Sequence, residues 1–345
     1  MKRYLAKDIL NVTVAGHNGS GKTSLVEALA FISGKCSHLG DIAAGNTICD
    51  FDDEEIKRKL SIAASIVPIE WKKIKMNFID VPGLFDFEGA LCEGMRVTDT
   101  ALITVSGKSG IEAGTYKAFK TADTRNLTKV FFVNGLCEED SRFYRVFEAL
   151  KTEFGPTICP IVVPHITDGK ADCYVNMLEF KAYSYQDGKS KEVPIPDMGT
   201  RFNGLRTAIY EAVAETSDEM FEKYFSGEAF TPEEIIVGIS KGVKSGKIIP
   251  VFCGDAKYLY GIEQLLDGLK WLLPRANEKN SEIACTIEGE PIIIESNPDK
   301  QASAIVFKTI VDQFIGKLSF IKVISGSILP DTSLFNTRTL KIEKI

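Results

Sequence analysis

The stretch GHNGSGKTS, Gly16 to Ser24, decides how the whole chain is interpreted. The apolar run Ile9 to Ala15 precedes it and predicts a buried strand, and the following SLVEALAFI predicts an amphipathic helix. The stretch from Gly16 to Ser24 has the spacing GxxxxGK[ST]. A loop with this spacing aims successive backbone N–H groups at one anion where a helix begins. A chance match in a glycine-rich loop is the alternative, but the flanking strand and helix argue against it. The sequence therefore predicts a binding site for a nucleoside di- or triphosphate.

The predicted phosphate contacts come from the loop and the first helical turn: His17, Asn18, Gly19, Ser20, Gly21, Lys22, Thr23 and Ser24. For His17 we expect the backbone to matter more than the ring. Lys22 is expected to reach the β- and γ-phosphates, and the Thr23 hydroxyl to bind Mg²⁺.

A second phosphate-site element is DVPG, Asp80 to Gly83, which ends the strand-like run KIKMNFIDV. An acidic residue at the end of a strand beside a phosphate loop suits a second Mg²⁺ contact. The Pro-Gly pair predicts a turn whose backbone approaches a terminal phosphate. Asp80 and Gly83 therefore join the predicted site.

Composition places the chain among ordinary globular proteins, with 345 residues, 44% apolar and 26% charged. This length suffices for two or three domains. No apolar run approaches the roughly 18 residues of a membrane span, and the N-terminus lacks the apolar segment of a signal peptide. We therefore expect a cytoplasmic protein without membrane contact, and nothing in the sequence requires more than a monomer. The net charge of −6 argues against non-specific DNA or RNA binding.

The eight cysteines include no CxxC pair, and the three histidines are scattered. The sequence therefore offers no support for a zinc site or a redox pair, and we expect reduced thiols.

Strand-like and helix-like segments alternate along the first half of the chain, which predicts a doubly wound, mostly parallel sheet with ligand at the carboxyl ends of its strands. The charge run Asp50 to Lys59 interrupts the pattern and is typical of a solvated helix or mobile loop. The predicted strands after it are Leu60 to Trp71, Lys73 to Val81, Asp99 to Ser106, Leu127 to Gly135 and Lys247 to Ala256.

Changes in the pattern divide the chain. Residues 1–275 are expected to form the α/β domain, with an α+β insertion at about 164–246 that contains a hairpin in MLEFKAYSYQDGK and a capping box of Thr231 with Glu234. Residues 276–283 are predicted as a linker, and 284–345 as an all-β region. That pattern stops in mid-domain, as expected of a fragment of a longer protein.

These motifs together resemble the translational GTPases, and within them elongation factor G. GHNGSGKTS is similar to the family's GHxDxGKTT, RKLSI (Arg58 to Ile62) to RGITI of the first switch, and DVPGLFDF (Asp80 to Phe87) to DTPGHVDF of the second. Glu219 to Ala256 resembles the subdomain that elongation factor G carries before its last guanine-contacting loop, and Ala304 to Ile328 resembles the start of its β-barrel second domain.

The resemblance implies a GTPase that acts on the ribosome and cycles between GTP and GDP with Mg²⁺ as cofactor. It places Lys22, Gly83 and residue 84 at the reacting phosphate, and Thr23, Ser61 and Asp80 around Mg²⁺. The charge run becomes a candidate switch segment. The residues implied at the base are Asn134, Cys137, Asp255 and Ala256.

Three departures from the family pattern bear on function. Leu84 replaces a histidine that orients the attacking water. Such a group contributes about 10²- to 10⁴-fold to the reaction rate, so slow hydrolysis is expected.

Cys137 stands where an aspartate accepts two hydrogen bonds from guanine, each contributing about 1.5 to 3 kcal/mol. Guanine selectivity then depends on Glu138 or another acceptor. Asp255 replaces a serine, and either compensates by meeting the base or reflects drift of the pocket. Ser61 replaces threonine but keeps the hydroxyl.

Two other functions stay open at this point. A nucleotide-binding, ribosome-associated module with little or no hydrolysis would fit Leu84 and Cys137. An ATP-using enzyme would fit the weakened guanine motif.

Overall fold

The computed structural model describes residues 2, 4–167, 169–278, 281–286, 288–312 and 316–344. The chain divides into two units, Met1–Pro274 and Arg275–Ile345. Within the described ranges, no helix is long and apolar enough to cross a membrane.

The first unit contains eleven described strands and nine described helices, besides short 3₁₀ turns. In chain order they are β1 (Ile9–Gly16), α1 (Lys22–Ile32), α2 (Asp53–Arg58), β2 (Ser65–Trp71), β3 (Ile74–Asp80), α3 (Glu88–Val97), β4 (Thr100–Ser106), α4 (Ala113–Thr124), β5 (Thr128–Asn134), α5 (Phe143–Phe154), β6 (Ile158–Pro160), β7 (Val162–Thr167), β8 (Lys170–Asn176), β9 (Lys181–Gln186), β10 (Lys189–Val193), α6 (Thr200–Ala214), α7 (Asp218–Phe225), α8 (Pro232–Lys244), β11 (Ile249–Cys253) and α9 (Ile262–Leu272).

The centre of this unit is a seven-stranded sheet in the order β2-β3-β1-β4-β5-β11-β6. Every neighbouring pair is parallel except β2 with β3. Helices α1 and α9 pack together, α3 and α4 pack together, and both groups cover a sheet whose inner strands are buried almost throughout. The predicted doubly wound, mostly parallel fold is confirmed.

The segment before β2 corrects one sequence-based prediction, because the strand expected from Leu60 begins at Ser65. Residues 60–63 are held differently, since the buried carboxylate of Glu55 in α2 accepts the N–H groups of Ile62 at 2.8 Å and Ala63 at 3.0 Å. The charge run around α2 is a short helix, whose first turn is acidic and whose last turn is basic, in accord with the helix dipole.

The insertion contains an antiparallel sheet in the order β10-β9-β8-β7, followed by α6, α7 and α8. Asp187 and Gly188 both have positive φ, as a type I′ hairpin turn between β9 and β10 requires, so the predicted hairpin is confirmed. The capping box of Thr231 and Glu234 is also present. The sequence analysis missed β6, β7 and β8.

The second unit consists of antiparallel pairs, consistent with a β domain: β12 (Ser281–Cys285) with β13 (Pro291–Glu295), β14 (Ser303–Asp312) with β15 (Gly316–Ser325), and β16 (Ser333–Asn336) with β17 (Lys341–Lys344). Strand β12 overlaps the segment predicted as a linker, whose residues 279 and 280 lie outside the described residues.

Two helical glycines provide a matched test of the core. A Cβ on Gly268 in α9 would lie 2.3 Å from two ring carbons of Phe252 in β11, whereas one on Gly204 in α6 would meet nothing within 4 Å. Gly268→Ala should lower the free energy of unfolding by about 1 to 3 kcal/mol through overpacking. Gly204→Ala should raise it by up to about 1 kcal/mol through helix propensity. Urea unfolding measures both, and equal effects would contradict this packing.

Candidate nucleotide-binding site

A cavity of about 360 Å³ lies at the carboxyl ends of the parallel strands of the main sheet. This edge is where open α/β sheets bind ligands. The residues that line it are Asn18, Gly19, Ser20, Gly21, Lys22, Thr23, Ser24, Ile42, Asp50, Lys59, Leu60, Ser61, Gly83, Ser106, Asn134, Gly135, Glu138, Asp255 and Lys257.

The loop between β1 and α1 is held in shape by its own backbone and by a neighbouring helix. The His17 carbonyl accepts the Ser20 N–H at 3.3 Å and the Lys22 Nζ at 2.9 Å. The His17 ring points away from the cavity lining, and its Nδ1 accepts the Gly114 N–H at 3.2 Å, which ties the loop to α4. His17 thus serves the loop through both backbone and ring.

Lys22 presents a buried cation at this cavity. Burial lowers the pKa of its ammonium, and the charge of Asp80 partly offsets that effect. Gly83 lies so close that an added Cβ would be 2.3 Å from Lys22 Nζ and 2.8 Å from the Asn18 N. Only glycine fits at position 83, so its backbone can come directly against the phosphate loop.

Thr23, Ser61 and Asp80 bring oxygen atoms together beside Lys22. Thr23 Oγ1 donates to Asp80 Oδ2 at 2.7 Å and lies 3.2 Å from Ser61 Oγ. Asp80 is 1% exposed. Within the described residues its Oδ1 has no hydrogen-bond partner of ordinary geometry, although the Cys49 thiol lies near the carboxylate. Burial raises the pKa of this carboxyl to about 6. An unpartnered buried carboxylate oxygen and two hydroxyls are the hard donors that Mg²⁺ takes, so these residues fit that ion.

The residues predicted at the base are tied to one another. Asn134 Nδ2 donates to the Ser20 carbonyl at 3.1 Å, and its Oδ1 accepts the Ala256 N–H at 3.0 Å, so it joins the phosphate loop to the loop after β11. A Cβ on Gly21 would lie 2.1 Å from Asn134 Nδ2. Cys137 and Ala256 do not line the cavity, whereas Asn134 and Asp255 do.

Asp255 is occupied by backbone donors. Its Oδ2 accepts the Cys137 N–H at 2.9 Å, and its Oδ1 accepts the N–H groups of Lys257 at 3.1 Å and Tyr258 at 3.3 Å. Burial and the Asp255 charge raise the pKa of the Cys137 thiol to about 12, which keeps that thiol neutral. The Asp255 carboxylate therefore holds two loops in place.

Leu84 lies outside the main cavity. It is half-buried and lines a second, smaller cavity with Gly16 and Phe85. It brings no polar group to the phosphate end of the site.

The sequence analysis missed three charged residues that line the cavity, Asp50, Lys59 and Lys257, and named a fourth, Glu138, only as a possible acceptor for guanine. Lys59 carries a readable signal, because it lies two residues before Ser61 in RKLSI. Its positive φ of 53° is that of the left-handed residue that ends α2.

The buried Asp80 predicts a pH dependence in the nucleotide-free protein. Its pKa of about 6 exceeds the usual 3.8, so the folded state holds this proton more tightly. The resulting stability is full below about pH 4 and is lost as pH rises through 6, in total about 3 kcal/mol. Asp80→Asn should therefore unfold at higher urea than the unmodified chain at pH 8, with the difference shrinking toward pH 4. A difference independent of pH would contradict this assignment.

Comparison with known proteins agrees with this geometry. Residues 7–275 match the sequence family described as Elongation factor Tu GTP binding domain. The chain is 30% identical over 339 residues to an elongation factor G-like protein of Thermotoga maritima, covering 98% of this chain and 48% of that protein. It is also 30% identical to elongation factor G of Ureaplasma parvum, covering 97% and 49%.

A crystal structure of a protein from Thermus thermophilus superposes with a TM-score of 0.82 at 27% identity, over 94% of this chain and 46% of that one. The chain spans about half the length of the curated relatives it matches. The phosphate loop, the glycine turn after β3 and the family match lead to one conclusion: this chain belongs to the elongation factor GTPase family, with a P-loop GTPase fold carrying an inserted antiparallel sheet.

Proposed function

We propose that this chain is the nucleotide-binding part of an elongation factor G-like protein that binds GTP and GDP and hydrolyses GTP slowly. The observation that carries the proposal is the meeting of three elements at one cavity: the phosphate loop, the Gly83 turn and the oxygen cluster of Thr23, Ser61 and Asp80.

The phosphate end of the site follows from these contacts. Lys22 leaves the His17 carbonyl to meet the β- and γ-phosphates, and the Gly83 N–H donates to the γ-phosphate. Thr23, Ser61 and Asp80 would hold Mg²⁺, which neutralises phosphate charge when bound. Ser61 precedes β2 on a loop that Glu55 holds, so release of the Glu55 contacts would let Ser61 leave this cluster.

Selective recognition of guanine calls for a carboxylate that accepts its two donors, and we assign this role to Glu138. The Cys137 thiol is neutral, and both oxygens of Asp255 already accept backbone N–H groups. Glu138 lines the cavity beside Asn134 and Gly135, and no hydrogen bond to its carboxylate is found in the described part of the chain. A free carboxylate one residue beyond Cys137 is placed to accept the two donors of guanine.

The proposed binding partner rests on the relatives and not on a surface of this structure. The relatives named elongation factor G imply the ribosome as partner, and the ribosome implies a cytoplasmic location. We propose separately that this chain acts as a monomer. A second function, nucleotide binding without turnover, is favoured by Leu84, which leaves no proton-accepting side chain at its position.

Calorimetric titration tests nucleotide choice. We expect GDP and a non-hydrolysable GTP analogue, with Mg²⁺, to bind at least tenfold more tightly than ADP and ATP. Glu138→Gln should weaken GDP binding about tenfold or more, because it removes charged hydrogen bonds worth about 1.5 to 3 kcal/mol each, and should leave ADP unchanged. The neighbouring Glu139→Gln is the control.

If guanine and adenine nucleotides bind equally tightly, the site does not select guanine, and the protein has a site of relaxed specificity or uses ATP. An unchanged GDP affinity in Glu138→Gln would contradict the assignment of Glu138 alone.

Single-turnover phosphate release tests hydrolysis. Leu84→His should raise the rate toward the roughly 10²- to 10⁴-fold that a positioned proton-transfer group contributes, with GDP affinity unchanged. Leu84→Ala is the matched control, because it removes the leucine without adding an imidazole, and it should stay slow. Ribosomes are added in a parallel series. If the histidine and alanine variants release phosphate at the same rate, the slow-GTPase account is wrong.

A further inference from the structure

A cluster of three metal-ligating side chains lies in the inserted sheet, apart from the nucleotide cavity. His165 is on β7, and Asp172 and Cys173 are on β8. One ligand atom from each, a ring nitrogen, a carboxylate oxygen and Sγ, lies within 4.8 Å of the other two. None of the three lines the cavity described above.

A β-bulge brings these residues together. In the antiparallel register His165 pairs with Cys173 and Ile166 pairs with Ala171, so Asp172 is an extra residue on β8. Without the bulge, Asp172 and Cys173 would point to opposite faces of the sheet. A bulge re-aims the side chain beside it. Here it lets consecutive residues approach one histidine from the same side.

The contacts within the cluster already orient two of the ligands. His165 Nδ1 and Asp172 Oδ1 are 2.8 Å apart, and Thr167 Oγ1 donates to Asp172 Oδ2 at 3.0 Å. The His165 side chain is 22% exposed and that of Asp172 49%, while Cys173 is buried. The Cys173 thiol is thus shielded from water, while the Asp172 carboxylate is open to it, so an ion can approach the cluster from the side of Asp172.

We propose that His165, Asp172 and Cys173 bind a Zn²⁺-type divalent cation, with water as the fourth ligand. A nitrogen, an oxygen and a sulfur donor form a set that Zn²⁺ accepts in tetrahedral geometry and that Mg²⁺ does not favour. Bonds of about 2.0 to 2.2 Å at a tetrahedral angle separate two such ligands by roughly 3.3 to 3.6 Å. His165 Nδ1 and Asp172 Oδ1, which are 2.8 Å apart, therefore need to separate by only about 0.5 to 0.8 Å to bind one ion.

Thr167 acts as a positioning residue for this site. Its hydroxyl holds the carboxylate oxygen that faces away from His165, as outer partners of metal-binding carboxylates do. The ion would close the β7–β8 hairpin across its two strands. No CxxC pair signals the site, because the ligands come from two strands and depend on the bulge.

Cobalt titration of the whole purified chain, under reducing conditions with saturating GDP and Mg²⁺, tests the proposal. Co²⁺ reports sulfur ligation by a thiolate charge-transfer absorption in the near ultraviolet and tetrahedral geometry by strong visible bands. Co²⁺ that replaces Mg²⁺ at the nucleotide gives neither signal, since its donors there are oxygens. We expect both signals at one equivalent and their loss when Zn²⁺ is added.

The variants separate this site from other thiols. Cys173→Ser should abolish the charge-transfer band, His165→Gln should weaken Co²⁺ binding at least tenfold, and Thr167→Val should weaken it about 10- to 100-fold with the band retained. Cys285→Ser, which alters an exposed cysteine elsewhere, should behave like the unmodified chain. Circular dichroism verifies that each variant is folded.

Either of two results would overturn the proposal: a wild-type chain without the charge-transfer band, or a band that survives in folded Cys173→Ser. Neither result bears on nucleotide binding, which the calorimetric titration measures separately.

Discussion

The burial of two opposite charges at one edge of the sheet is the constraint on which this structure depends. Lys22 and Asp80 are both nearly excluded from water, Lys22 at the start of α1 and Asp80 at the end of β3. Burial disfavours the charged form of each, and their mutual attraction recovers only part of that cost. An anionic phosphate and a divalent cation would each supply the missing partner. This edge of the sheet thus holds a buried ammonium and a buried carboxylate whose charges only partly compensate each other.

The base side of the cavity is organised by hydrogen bonds between loops. Asn134 joins the phosphate loop to the loop after β11, and Asp255 joins that loop to the backbone of Cys137. These side chains hold three chain segments that are far apart in sequence. The interaction of Asp255 with this loop includes the backbone N–H of Cys137, which is present whatever side chain occupies position 137.

The inserted sheet contributes to the same loop through aromatic contacts. Tyr185 on β9 stacks on Tyr260 with ring centroids 4.8 Å apart, and Tyr174 on β8 meets Tyr260 edge-on at 6.4 Å. Tyr260 in turn exchanges two backbone hydrogen bonds of 2.9 Å with Asp255. The insertion thereby supports the loop after β11 through its tyrosines, and the bulge of β7 and β8 brings His165, Asp172 and Cys173 together in the same sheet.

The sequence by itself determined the parallel fold and predicted the phosphate loop, Thr23 and Asp80, since these follow from local spacing and strand periodicity, whereas Ser61 was implied only by the family resemblance. Only the tertiary structure decided which long-range groups meet. It showed that strand β2 begins at Ser65 because Glu55 holds the preceding backbone, that Asp255 is occupied by N–H donors, and that a bulge brings His165 to Asp172 and Cys173. Such contacts depend on register and loop packing, which residue spacing along a single chain does not encode.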